Sequence, residues 1–187
     1  MALYRVRPTQ VDIEIANAVS AHASPQAEQA AEVLTWGADE HLLCALAAGW
    51  WLYARNKGAH ARRDSDHMML TTIAVTIIPH LLKAVFDQER PDRLTVRGHL
   101  YGVPLSGKRL DAFPSGHAIH VGALASAATI LPPAKRNLVW SIGAGLVLTR
   151  IVLLAHWTSD VIAGLAIGAV VERLLRRWTS FGLPCRE

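Results

Sequence analysis

The feature that most constrains the fold is a succession of apolar blocks. Residues 42–54 carry no charge, 68–86 carry one, Lys83, and the blocks 114–131, 138–155 and 161–175 follow. A helix crossing a bilayer core takes about 20 apolar residues, and short basic segments separate these blocks: Arg55, Lys57, Arg62 and Arg63 after the first, Lys135 and Arg136 after the third. The chain is 51% hydrophobic yet formally +4, and that combination fits basic turns between spans better than a soluble domain. The expected fold is all-α, an integral membrane helical bundle of about five transmembrane helices preceded by amphipathic N-terminal helices.

With 187 residues and no internal repeat or low-complexity linker, one domain is expected over 1–187, with interfacial helices in 1–38 and a transmembrane core in 39–178. Thr9 with Asp12 is a helix-start pair, and Val11, Ile15, Ala18 and Val19 share a face behind it. Ser24-Pro25 is a cap followed by a first-turn proline, with Ala27, Ala30, Ala31 and Leu34 as the stripe that follows. Both helices read as interfacial, with packing on a soluble core as the competing reading. The N-terminus lacks the order of a cleavable signal peptide, and Cys44 and Cys185 have neither metal-ligand nor disulfide-framework spacing. Asp66 is expected to cap the second span and Pro79 to kink it. A long polar connection, 92–113, precedes Pro114-Ser115-Gly116-His117, Pro132 to Arg136 make a tight basic turn, and the Gly164-x-x-x-Gly168 pair permits close helix packing.

Counting crossings puts Arg55, Lys57, Arg62, Arg63, Lys135, Arg136, Arg173, Arg176, Arg177 and Arg186 on one side, which the positive-inside rule makes cytoplasmic. Trp50, Trp51, Trp140 and Trp178 fall near that boundary as an aromatic belt. Lys83, Arg90, Ser115, His117, Arg150 and His156 then converge on the opposite face, so the expected location is a bacterial inner membrane with the site open to the periplasm.

Taken singly, each of these side chains has a simpler explanation: a snorkelling cation, a helix-end histidine, a capping aspartate. Together they make one pocket of three cations, two imidazoles and a carboxylate, which fits a phosphate. Lys83, Arg90 and Arg150 neutralise the oxygens of a phosphoryl group, and the free amides of Ser115 and Gly116 at a helix start favour an anion. No residue cluster has metal-ligand spacing, Asp87, Glu89 and Asp92 being interleaved with Arg90 and Arg93, so neither metal nor other cofactor is expected. If the backbone is helical there, His156 and Asp160 share a face, and the carboxylate orients His156 as nucleophile while His117 protonates the leaving oxygen.

Lys83-x6-Arg90-Pro91, Pro114-Ser115-Gly116-His117 and Arg150-x5-His156-x3-Asp160 resemble, in order and internal spacing, the three signature blocks of the type 2 phosphatidic acid phosphatases, which share their site with vanadium haloperoxidases. Thr149 stands where the family usually has serine. The resemblance implies a metal-independent lipid phosphate or diphosphate phosphatase working through a phosphohistidine, with a lipid phosphate substrate, membrane lipids as surroundings and no nucleic-acid partner. Transfer of the phosphoryl group to a lipid hydroxyl uses the same pocket, and a non-catalytic membrane scaffold is the alternative of another class; the haloperoxidase branch is soluble and larger. Isoprenoid diphosphates, phosphatidylglycerol phosphate, phosphatidic acid and lipid A phosphates all remain candidates. Arg93, Arg97, His99, Lys108 and Arg109 in the long connection either read a headgroup, face anionic lipid or are simply solvated.

Overall fold

The computed structural model describes residues 3–91 and 110–183. Within them the chain is almost entirely helical: α1 (Gln10–His22), α2 (Pro25–Thr35), α3 (Glu40–Ala54), α4 (Ala59–Val85), α5 (Gly116–Ala127), α6 (Pro133–Val152) and α7 (Thr158–Thr179). The exception to the all-α expectation is a two-residue parallel pair, β1 (Tyr4–Arg5) with β2 (Phe86–Asp87). The cations expected in the long connection, Arg93, Arg97, His99, Lys108 and Arg109, and Cys185 and Arg186 in the tail, lie outside the described residues.

The N-terminal starts follow the sequence. Thr9 and Asp12 form a reciprocal capping box, Ser24 caps α2 ahead of Pro25, and Asp39 caps α3 by accepting from the amides of His41 and Leu42. The buried face of α1 is another matter. Asp12 and Ala16 point inward while Val11 is 61% exposed, because Asp12 has partners inside that Val11 lacks. Burial pushes the Asp12 carboxyl up, but hydrogen bonds from the amides and hydroxyls of Ser159 and Thr9 outweigh it and hold the pKa below the usual carboxylate range.

Two further expectations are corrected. Asp66 does not cap α4, which starts at Ala59 after Gly58; the polar run from His60 to Asp66 is helical, and Asp66 instead accepts from the Trp51 indole (2.8 Å) and Arg55 (2.6 Å). The basic turn is shorter than expected, because Pro133 already occupies the first turn of α6 and Lys135 and Arg136 follow within the helix. Among the described helices, Ala59–Val85 is the one long and apolar enough to cross a membrane by length and composition. Helices α3 and α5 have 15 and 12 residues, fewer than the ~20 of a full span.

At the centre, α5 runs along α7 with main chain against main chain. A Cβ on Gly168 would strike the Ile119 carbonyl, one on Gly122 the Leu165 carbonyl, and one on Gly164 would lie 2.7 Å from the Ser115 carbonyl. The Gly164/Gly168 spacing is thus a close crossing, with Gly122 supplying the answering gap. Polar side chains point inward (Ser65, His67, Thr71, Ser126 and Glu172 are buried), while Leu46, Leu52, Leu81, Ile142, Ile162 and Leu174 are exposed on the outer faces of α3, α4, α6 and α7.

One end of the bundle is closed by a buried ionic network. Glu172, fully buried, accepts from Arg176 Nε (2.8 Å) and Ser126 Oγ (2.5 Å) and lies 3.1 Å from His67 Nε2. His67 Nδ1 is 2.8 Å from the Thr179 hydroxyl, and its ring stacks on Phe181 at 4.1 Å. Arg176 also donates to the Ser126 carbonyl (2.6 Å), so α4, α5 and α7 are tied together there.

Candidate active site

At the other end of the bundle, Lys83, Arg90, Gly116, His117, Arg150 and His156 line one cleft of about 190 Å³. Lys83 is in the last turn of α4, Arg90 follows β2, Gly116 and His117 open α5, Arg150 is in the last turn of α6, and His156 lies between α6 and α7. The amides of Gly116 and His117 belong to a first helical turn, where no intrahelical acceptor exists. Ser115 and Asp160 do not line the cleft; both are fully buried behind it, joined by the Ser115 amide donating to the Asp160 carbonyl at 3.4 Å.

The backbone around His156 departs from the expectation. Helix α6 ends at Val152, Leu154 adopts φ 50° in the left-handed region, and α7 begins at Thr158, so His156 and Asp160 do not share a continuous helix. The closest Asp160 oxygen is 3.9 Å from His156 Nδ1, and that oxygen accepts instead from the Trp157 amide at 2.9 Å, capping α7. The near partner of His156 Nδ1 is the Ala112 carbonyl at 2.6 Å. A carbonyl only accepts, so Nδ1 carries the proton and Nε2 keeps its lone pair. Burial, and then the positive charges of Arg150, Arg90 and Lys83, hold His156 well below the usual histidine range. The imidazole is therefore neutral, with one nitrogen available for attack.

Each of the three cations has a polar partner, and for two of them it is a carboxylate. Arg90 Nε donates to Asp111 at 2.9 Å, Lys83 lies 3.8 Å from the same carboxylate, and Arg150 donates to the Thr35 hydroxyl at 3.0 Å. Asp39, Glu40, His80 and His120 also line the cleft. None of these was singled out from the sequence. His120 stands one turn after Gly116 and His117 on the same face, a spacing that signals it, and Asp39 and Glu40 begin the first span on the side where the other site residues gather. Nothing in the sequence marks the Ala112 carbonyl. It is set by its neighbours: Ala112 donates to the Gln88 carbonyl (3.1 Å) and Gln88 to that of Leu110 (3.2 Å).

A second cavity of about 360 Å³ lies between α3, α4 and α5, lined by Leu43, Leu46, Trp50, Met68, Val75 and Leu124 among others, and it meets the first at His120. Among the described residues no group of three or more His, Cys, Asp or Glu side chains is placed to hold a metal ion.

The family model of the PAP2 superfamily matches residues 67–182. The chain is 36% identical over 104 residues to a lipid A 1-phosphatase of Rhizobium johnstonii, a match covering 55% of this chain and 43% of that protein. It is 36% identical over 103 residues to the lipid A 1-phosphatase of Rhizobium etli, covering 54% and 44% respectively. The matches thus span less than half the length of these relatives. In structure the chain is similar to LpxE of Aquifex aeolicus (TM-score 0.67, 15% identity, 90% of this chain and 96% of that one). It is likewise similar to the transmembrane PAP2-type phosphatidylglycerolphosphate phosphatase of Bacillus subtilis (TM-score 0.68, 20% identity, 94% and 88%). At these identities the structural likeness is one of fold.

Proposed function

The chain belongs to the PAP2 superfamily, and from that premise we propose that it is a metal-independent lipid-phosphate phosphatase acting through a phosphohistidine. The observation that carries the reading is the single cleft shared by Lys83, Arg90, Arg150, His117 and His156. In the first step His156 Nε2 attacks phosphorus, the bond to the lipid oxygen breaks, and His117 gives that oxygen its proton. Lys83, Arg90, Arg150 and the amides at the start of α5 take up the charge spread over the phosphoryl oxygens. In the second, water attacks phosphorus while His117 accepts its proton, the bond to His156 Nε2 breaks with its electron pair returning to the ring, and phosphate leaves. Ser115 and Asp160 act by shaping the site: Asp160 caps α7 beside His156, and Ser115 starts α5.

A lipid substrate is supported by the apolar cavity that meets the cleft at His120, wide enough for part of a hydrocarbon chain, and by the exposed apolar side chains of α3, α4, α6 and α7, a surface that water disfavours and lipid accepts. On this reading residues 1–187 form one domain with about five membrane crossings, α3 to α7. Helices α1 and α2 lie at the interface, the basic turns are cytoplasmic and the cleft opens to the periplasm. The names of the sequence relatives put a lipid A phosphate first among candidate substrates.

The test is phosphate release by the full chain in detergent from isoprenoid diphosphate, phosphatidylglycerol phosphate, phosphatidic acid and lipid A. Release is expected to survive a chelator and to stop with vanadate, whose trigonal bipyramid mimics the transition state. Loss on chelation, restored by magnesium, overturns the mechanism. Orientation is tested separately, in a background lacking Cys44 and Cys185. Gly107→Cys is expected to react with an impermeant thiol reagent from outside intact cells and Gly58→Cys, at an N-cap with open space around it, is not. The reverse pattern overturns the periplasmic site.

A further inference from the structure

Residues 150–159, which carry Arg150 and His156, are covered by the two N-terminal helices, which lie outside the segment 67–182 matched by the family. From α1, Asp12 Oδ1 accepts from the Ser159 amide at 2.9 Å and Oδ2 from the Ser159 hydroxyl at 2.8 Å, while the same carboxylate is held by Thr9. Ala16 is buried in one cluster with Ala112, Leu154 and Trp157, so α1 reaches both the strained residue before His156 and the residue whose carbonyl orients it. From α2, Ala31 is buried with Leu153 and Ala155, and Thr35 at the last residue accepts from Arg150 Nη1 at 3.0 Å. A non-glycine residue in the left-handed region persists only where its surroundings hold it. Here α1 packs on Leu154 through Ala16 and Val19, alongside Ala112 and Trp157, and α2 packs on its neighbours Leu153 and Ala155.

We propose that the N-terminal helix pair is a positioning brace for the phosphate site, with Thr35 orienting the Arg150 guanidinium and Asp12 fixing the segment that presents His156. This rests on the phosphatase reading above. Thr35 and Asp12 are positioning residues and touch no substrate: one aims a cation through its hydroxyl, the other anchors the start of α7. An interfacial anchor alone needs neither hydrogen bond. Thr35→Val keeps the shape of the side chain and removes the acceptor, so Arg150 keeps its charge and loses its direction. Thr35→Ser restores the acceptor.

The experiment compares the full chain with Thr35→Val, Thr35→Ser, Asp12→Ala and Asp12→Glu in detergent, by lipid-phosphate turnover, vanadate inhibition and amide hydrogen exchange. For Thr35→Val, kcat and vanadate affinity are expected to fall about tenfold, as for one lost hydrogen bond to a charged group, with KM little changed and the unfolding midpoint retained; Thr35→Ser recovers both. For Asp12→Ala, exchange in residues 153–160 is expected to rise while that of α5 stays as it was, and Asp12→Glu recovers part of the protection. If Thr35→Val matches the unsubstituted protein in kcat and vanadate affinity, or if Thr35→Ser fails to recover them, the brace is overturned and the phosphatase reading stands. If the unsubstituted protein releases no phosphate and binds no vanadate, the phosphatase reading falls, and the hydrogen-exchange comparison still decides the brace: unchanged exchange in residues 153–160 on Asp12→Ala overturns it.

Discussion

On the proposed mechanism, His156→Ala is expected to release no phosphate from any lipid and to take no covalent phosphate from any donor, however good its leaving group. The attacking atom is gone, and neither the cations nor the helix start supplies another. His117→Ala behaves differently. On the proposed mechanism it removes a proton donor, a contribution of roughly a hundred- to ten-thousand-fold, yet an aryl phosphate such as nitrophenyl phosphate releases a stable phenolate anion and needs no donor in the first step. The variant is therefore expected to release about one equivalent of nitrophenol and stop, because the second step still requires His117 as base. Stopped-flow absorbance with acid-quenched labelling reads both steps, and the phosphate trapped on His156 is expected to be acid-labile. A burst from His156→Ala with none from His117→Ala reverses the assignment. Normal turnover by both means the cleft is not the catalytic site.

Glu172→Ala has the largest expected effect on stability. The carboxylate is fully buried and receives Arg176, Ser126 and His67 together, so its removal leaves the Ser126 hydroxyl without its acceptor and the Arg176 guanidinium without its counter-charge, held only by the neutral Ser126 carbonyl and Thr129 hydroxyl. Breaking a buried ionic network by removing one member costs about 3–5 kcal/mol. The unfolding midpoint in detergent is expected to fall by several degrees or more, with the vanadate inhibition constant of the folded fraction unchanged, since the network lies at the end of the bundle away from the cleft. Glu172→Gln, which keeps an acceptor but not the charge, falls in between. A midpoint unaffected by Glu172→Ala means that Arg176 and His67 find other partners.

Much of the site was legible because its chemistry is local in sequence. Lys83, His117, Arg150 and His156 announce themselves as polar or charged residues within apolar runs, Arg90 stands before Pro91 in a charged stretch, and the cleft gathers all of them. The start of α4 was not legible, because His60 to Asp66 is polar and helix-competent at once and no proline or glycine separates it from the apolar run. The end of α6 was hidden for the opposite reason: Leu153, Leu154 and Ala155 continue the apolar pattern through a turn, and the left-handed Leu154 is imposed by packing. Asp160 stands at the right spacing from His156 but spends its carboxylate on the Trp157 amide, while a main-chain carbonyl, which no residue type encodes, takes the position beside the imidazole. The inward turn of Asp12 depends on Ser159, far along the chain, and periodicity within α1 carries no sign of it.

The glycine seam between α5 and α7 sets a mechanical tolerance. His117 rides on the first turn of α5 and His156 immediately precedes α7, and Gly122, Gly164 and Gly168 bring those two helices into main-chain contact. Side chains swing between rotamers, but carbonyls seated in glycine gaps have nowhere to go. The two imidazoles are therefore carried by elements in direct main-chain contact, and their spacing is registered by backbone rather than by rotamers, the kind of support that holding catalytic groups to roughly 0.5 Å requires. Wear on the lipid-facing surface, where bulky side chains exchange freely for one another, leaves that register untouched; a single added methyl at Gly168 does not.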